Sequence, residues 1–244
     1  MKTFLFRHLL SKIYNVIFSV KIQPKALNIA PLDRCLLLAG KTEDIFSSAG
    51  GTILLNKDKF SVYSLTNGFR EIIDNAMTYE EKIEARKKEF EEIIEKSETA
   101  FGEFFEDIDE GRLVLRYDKF RSLIISNFDY IFVPNFLEPD KDNKAIALML
   151  NELLKERPYK KHVKIVLYEI NSTLPIVNSF VDIENASDKK NEIINSFERK
   201  KGTGYADIIG CLNKYRGANV RKNVVEAFCV LDVEEFKKIC RLYR

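Results

Sequence analysis

Histidine is scarce in this chain. Its 244 residues include two, His8 and His162. Imidazole is the commonest side-chain metal ligand, so a site built on histidines has little to draw on. The four cysteines, Cys35, Cys211, Cys229 and Cys240, form no C-x-x-C pair, which excludes a zinc ribbon or a dithiol redox motif. Cys35 sits in an apolar run and reads as core, and a reduced, cytoplasmic compartment is expected. No apolar stretch is long enough to span a bilayer. No small-residue cleavage site follows the apolar N-terminal segment, which argues against a signal peptide. No basic stripe interleaved with aromatics is present, and the formal net charge is only +2. Both observations argue against a nucleic-acid partner. No repeat, low-complexity segment or linker divides the chain. What is present is 45% hydrophobic and 31% charged residues, the composition of a soluble globular protein, in a length that suits one α/β domain with a sizeable core.

Residues 1–27 form a preface to that domain, which is expected over residues 28–244. Phe4, Leu5, Leu9, Leu10, Ile13, Tyr14, Ile17 and Phe18 recur at helical spacing among Lys2, Arg7, Lys12 and Lys21, and no acid precedes Asp33. This predicts a basic amphipathic helix. Two readings stand: peripheral contact with a membrane surface, or packing on its own domain or a partner. Pro24 closes the segment.

The stretch from Asp33 to Gly68 organises the rest. An apolar run, Cys35-Leu36-Leu37-Leu38-Ala39, is followed by Gly40-Lys41-Thr42-Glu43-Asp44 and by the small residues Ser47 to Thr52. A second apolar run, Phe60 to Leu65, ends at Thr66-Asn67-Gly68. The pattern predicts strand, acidic turn, helix, strand and turn. Thr78 with Glu81 forms a capping-box signature opening a helix to Lys96. Phe101–Phe105 reads as a helical continuation, Leu113–Leu115 as a strand and Phe120–Ile125 as helical. Tyr130–Pro134 reads as a buried strand, followed by Asp140-Lys141-Asp142-Asn143 and a helix over Lys144–Lys155. Later strands are predicted over 162–170, 178–183 and 224–230, and helices over 186–201, 205–215 and 233–243. Alternating strands and helices predict a mostly parallel sheet covered by helices on both faces. Ligands bind such sheets beyond the carboxyl ends of the strands, where Glu43-Asp44 and the 140–143 loop would both lie.

The order Lys41-Thr42-Glu43-Asp44, Ala49-Gly50-Gly51-Thr52 and Leu65-Thr66-Asn67-Gly68 resembles the opening of the LmbE/PIG-L deacetylase family, which carries His-Pro-Asp-Asp-Glu, Gly-Gly-Thr and Leu-Thr-Asp-Gly at this spacing. Arg86-x-x-Glu89 resembles its helix motif. Val133-Pro134-Asn135 to Ala145 resembles its second metal loop, which ends His-Pro-Asp-His-Arg-Ala. Tyr168-Glu169-Ile170, Leu174-Pro175, Phe180 to Ile183, Tyr215-Arg216-Gly217 and Glu226-Ala227-Phe228 continue the match to the end of the chain. The resemblance implies a Rossmann-like three-layer fold. It also implies a zinc site that hydrolyses N-acetyl amino sugars through a metal-activated water.

Against that family pattern, Lys41 stands at the first ligand histidine and Glu43 at the general base. Asp44 keeps the ligand aspartate, and Ile45 replaces the glutamate after it. Asp140 stands at the histidine that polarises or protonates, Asp142 is retained, and Asn143 stands at the remaining ligand histidine. Two of three zinc ligands are therefore absent, and no metal cofactor is expected. Lys41 would replace the ion through salt bridges to Glu43, Asp44, Asp140 and Asp142. Arg86 and Asn67 complete the candidate binding residues, with Arg86 paired to Glu89. The leading expectation is a non-catalytic protein of bacterial glycan or glycolipid metabolism that binds a small sugar, a glycolipid precursor or a partner enzyme. The alternative is an active de-N-acetylase using zinc or another divalent metal at an atypical carboxylate site of Asp44, Asp140 and Asp142, which suits Mg²⁺ or Mn²⁺. A third is a structural protein of the membrane surface. The sequence leaves oligomeric state open.

Overall fold

A computed structural model describes residues 23–197 and 203–243. The predicted N-terminal helix lies almost wholly outside them. Eight strands form one sheet: β1 (Lys25–Ala26), β2 (Cys35–Ala39), β3 (Phe60–Ser64), β4 (Phe101–Phe104), β5 (Tyr130–Pro134), β6 (Lys164–Tyr168), β7 (Ser179–Asp182) and β8 (Val225–Asp232). Their spatial order is β1-β7-β8-β6-β5-β2-β3-β4. Every pairing is parallel except those of β8 with β6 and β7. The helices are α1 (Thr42–Leu55), α2 (Tyr79–Ser97), α3 (Tyr117–Phe120), α4 (Lys141–Glu156), α5 (Ser187–Ser196), α6 (Tyr205–Asn219) and α7 (Val233–Leu242).

All five residues of β2 are buried, as a strand covered on both faces requires. Leu36 and Leu38 enter one core with Ile146 and Leu150 of α4 and Phe236 and Cys240 of α7. Cys35, Leu37 and Ala39 enter the other with Ile45 of α1, Phe90 of α2, Ile193 of α5 and Ile209 of α6. The result is the expected mostly parallel sheet between two helical layers. β1 adds to its edge through Lys25 and Ala26, beside Ser179 and Phe180.

Three local expectations are corrected. Phe101–Phe104 is a strand, because Glu98 ends α2 in the left-handed region (φ 53°) and the chain then pairs with β3. Leu113–Arg116 is a 3₁₀ turn with only Leu113 buried, so it has no strand-like alternation. The helix around Phe120 stops there. Among the described residues, no helix is long and apolar enough to cross a membrane.

Helix α1 is broken at Ala49 (φ −131°, ψ 20°). Just before the break, the Ser47 hydroxyl donates to the Glu43 carbonyl (2.7 Å) and that of Ser48 to the Asp44 carbonyl (2.6 Å), the local competition that bends helices. After it, the amides of Gly51 (2.7 Å) and Thr52 (2.8 Å) donate to the Glu226 carboxylate on β8. Glu226 thus caps the second half of the helix, and Lys190 of α5 balances its charge at 2.7 Å. Gly51 itself packs on Ile183, where an added Cβ would lie 2.7 Å from that side chain. Close packing, rather than approach to a ligand, accounts for this Gly-Gly pair.

Candidate functional site

The strand order reverses around β2, which sits between β3 and β5. The crevice at their carboxyl ends is where a doubly wound sheet places a ligand. Four adjacent strands, β5, β2, β3 and β4, each send a charged residue there from the loop that follows. Lys41 follows β2, Glu71 follows β3, Glu110 follows β4 and Asp140 follows β5. The Lys41 ammonium lies 2.9 Å from Glu71, 3.1 Å from Glu110 and 3.3 Å from Asp140.

Each carboxylate is held in place by its own backbone. Gly68, with φ 57°, starts the 3₁₀ turn that carries Glu71. Glu110 sits on a loop fixed from two sides. The Asn67 side chain donates to the Glu106 carbonyl and to Asp109, both at 3.2 Å. The Asp142 carboxylate accepts from the amides of Gly111 and Leu113. Asp140 is the N-cap of α4, accepting from the amides of Asp142 (2.9 Å) and Asn143 (3.0 Å) through one oxygen while the other faces Lys41. Burial of the ammonium works against its charge, but the surrounding carboxylates of Asp44, Glu110, Asp140 and Glu43 outweigh it and raise the Lys41 pKa. Lys41 is a fixed cation.

The remaining predicted residues form a second, deeper group. Arg86 pairs with Glu43 and with Glu89. Burial opposes ionisation of Glu43, but the Arg86 guanidinium prevails and holds its pKa below the usual value. Among the described residues, no cation lies within salt-bridge distance of Asp44. It accepts from the Asn143 amide at 2.8 Å, and the Asn143 carbonyl oxygen accepts from the Gly40 amide at 2.9 Å. Only a glycine permits this approach, since a Cβ at position 40 would lie 2.7 Å from that oxygen. Burial, then the neighbouring Glu43 charge, push the Asp44 pKa up to about 7.

This yields a pH prediction. The folded pKa of Asp44 lies above its unfolded value, so the native state holds the extra proton. That contribution is complete below about pH 4 and is lost as pH rises through about 7. Asp44→Asn keeps an acceptor for Asn143 and removes the titration. Denaturant melts are expected to show the variant gaining on the parent between about pH 5 and pH 8, by at least about 1 kcal/mol. A pH-independent difference would contradict this reading.

Lys41 was expected to reach Glu43, Asp44, Asp140 and Asp142. Among these its salt-bridge contact is with Asp140, because Glu43 is claimed by Arg86 and Asp142 by backbone amides. Its other partners, Glu71 and Glu110, went unrecognised. Glu71 lies three residues beyond Gly68, and Glu110 lies between Phe101–Phe105 and Leu113–Leu115, outside every motif that carries the resemblance.

Do these residues suit zinc? A zinc site needs three donors and an open position. Lys41 is a protonated ammonium, and both ends of the Asn143 amide are engaged. Among the described residues, no three histidine, cysteine or carboxylate side chains are arranged to hold a metal ion. The residues do not fit the ion.

No family model and no curated protein matches the chain. Solved structures do. The N,N′-diacetylchitobiose deacetylase of Pyrococcus horikoshii superposes with a TM-score of 0.67 at 16% identity, covering 94% of each chain. The fold is that of the LmbE/PIG-L deacetylases. A teicoplanin deacetylase, solved in a zinc-inhibited form, shares the deacetylase fold at TM-score 0.61 and 12% identity, over 82% of this chain and 99% of that one. So does GalB of Pseudomonas putida KT2440, a 4-carboxy-2-hydroxymuconate hydratase, at 0.63 and 18%, over 81% and 95%. A hydratase and deacetylases share this deacetylase fold, so reaction type has to be argued from the side chains in the crevice.

Proposed function

We propose that this chain is a metal-free relative of the sugar deacetylases that binds, without hydrolysing, a small saccharide or glycolipid precursor. One observation carries the reading. The ammonium of Lys41 stands where the fold's deacetylases are expected to hold an ion, locked by carboxylates from the loops after β3, β4 and β5. Asn143 supports it by bonding to Gly40 and Asp44. Without a metal-bound water, the nucleophile that the resemblance implies for the amide is lost. The alternative, a carboxylate-bound Mg²⁺ or Mn²⁺, draws no support from Asp140 and Asp142, which are occupied by Lys41 and by backbone amides.

The test is elemental analysis of protein purified without chelator, together with acetate release from N,N′-diacetylchitobiose. The parent chain is expected to carry no stoichiometric transition metal and to release no acetate, while retaining saturable saccharide binding by calorimetry. Stoichiometric zinc that Asp44→Ala removes, or turnover at enzymic rates, would overturn the proposal.

A further inference from the structure

Thirteen large apolar side chains are exposed among the described residues, and five of them gather round the first turn of α4. Three segments bring them there. Val114 and Leu115, 61% and 74% exposed, follow Leu113, whose amide donates to Asp142 in that turn. Leu137 lies in the loop that leads to the Asp140 cap. Leu242 and Tyr243 close α7. The Tyr243 ring stacks on Phe136 with centroids 5.0 Å apart, and Cys240 packs on the Ala147 carbonyl of α4. Leu242 is 82% exposed. An apolar grouping of this kind marks an interaction surface.

The charges set among these side chains are of one sign. Lys141 and Lys144 of α4 and Arg241 of α7 are exposed. The two acids of the same helix end are turned inward: Asp140 faces Lys41, and Asp142 accepts from the amides of Gly111 and Leu113. On the far side of Val114 and Leu115, Arg116 and Lys119 already pair with Asp107 and Asp118. The face therefore offers uncompensated positive charge between aliphatic side chains, the combination that settles on a headgroup layer.

We infer that this face rests on a bilayer surface carrying anionic head groups. The aliphatic side chains enter the headgroup layer and the three cations meet its phosphates. A second copy of the chain is a poor occupant, because a two-fold contact sets the cations against themselves. So is the chain's own N-terminal segment, since residues 1–22 carry four Lys and Arg residues and no acid. The contact is separate from the one expected of residues 1–27, and it does not depend on the saccharide reading. It brings the Lys41 cluster next to the lipid, because Asp140 joins that cluster to this helix end.

Co-sedimentation of the full chain with vesicles tests this. One set is phosphatidylcholine alone, and the other is equal parts phosphatidylcholine and phosphatidylglycerol. Partitioning to the anionic set is expected to exceed that to the neutral set by at least about tenfold and to fall with added salt. The variant Lys141→Glu/Lys144→Glu/Arg241→Glu is expected to lose at least about tenfold in partitioning. Leu137→Ser/Leu242→Ser is expected to lose about fivefold. Both variants keep residues 1–27 and change only exposed positions, so their circular dichroism spectra are expected to match the parent. Either variant partitioning like the parent, equal binding to the two vesicle sets, or no binding to either would overturn the inference. Binding to soluble polyglutamate with none to the vesicles would overturn it in favour of an acidic protein partner.

Discussion

Replacing Lys41 by methionine is expected to lower the unfolding free energy by about 3 kcal/mol at about pH 7.5. Methionine keeps most of the side-chain volume, so lost packing contributes little. What remains is Glu71, Glu110 and Asp140 converging on one point with no counter-charge, where now they lie 2.9, 3.1 and 3.3 Å from the ammonium. Lys41 is 13% exposed, too little for water to take over its role. Removing one member of such a group leaves charges that are neither solvated nor paired. In the variant the three carboxylates repel one another with no cation between them. Urea denaturation at about pH 7.5 should show the deficit, and added salt should shrink it as the repulsion is screened. A deficit below about 1 kcal/mol at neutral pH, comparable to an exposed ion pair, would show that the cluster is not a structural lock.

The second large effect is expected at Glu226. Both it and Lys190 are 1% exposed. Glu226→Ala leaves the Lys190 ammonium with Asn213 as its remaining partner among the described residues and strips the Gly51 and Thr52 amides of their acceptor. The cost is expected to be about 4 kcal/mol. In contrast, Lys190→Met/Glu226→Leu removes both charges together and is expected to recover about half of that loss. It cannot recover all, because the helix break at Ala49 still presents two uncapped amides. Chemical denaturation of the single and double variants checks this, and a double variant as unstable as Glu226→Ala would contradict it.

The sheet was readable where burial is symmetrical. β2 and β5 are covered on both faces and appear as unbroken apolar runs. The cap at Thr78 acts through Glu81, three positions away, and left a local signature that was read, whereas the Asp140 cap was not read and its helix was expected only from Lys144. β4 was lost because Phe101-Gly102-Glu103-Phe104 has little character of its own. Its strand form comes from pairing with β3 and from Gly102 packing against Ile94 and Phe90. The site divides in the same way. Lys41, Glu43, Asp44 and Asn143 could be singled out by their positions in the resembling motifs. Glu71 and Glu110 could not, because what brings them to Lys41 is the adjacency of β3 and β4 to β2 in space. Asn67 and Asp142, expected as binding residues, hold the loop that carries Glu110.

Strand β8 is the last of the sheet in sequence, yet it lies between β6 and β7. Its Glu226 reaches back 175 residues to Gly51. At synthesis rates of roughly 5–20 residues per second, a helix begun early on the ribosome waits on the order of ten to thirty seconds for its cap. A nascent chain stalled short of β8 therefore carries an unfinished helix, a lysine without its counter-charge and a sheet split in two. Such a chain is the form most exposed to chaperones and proteases.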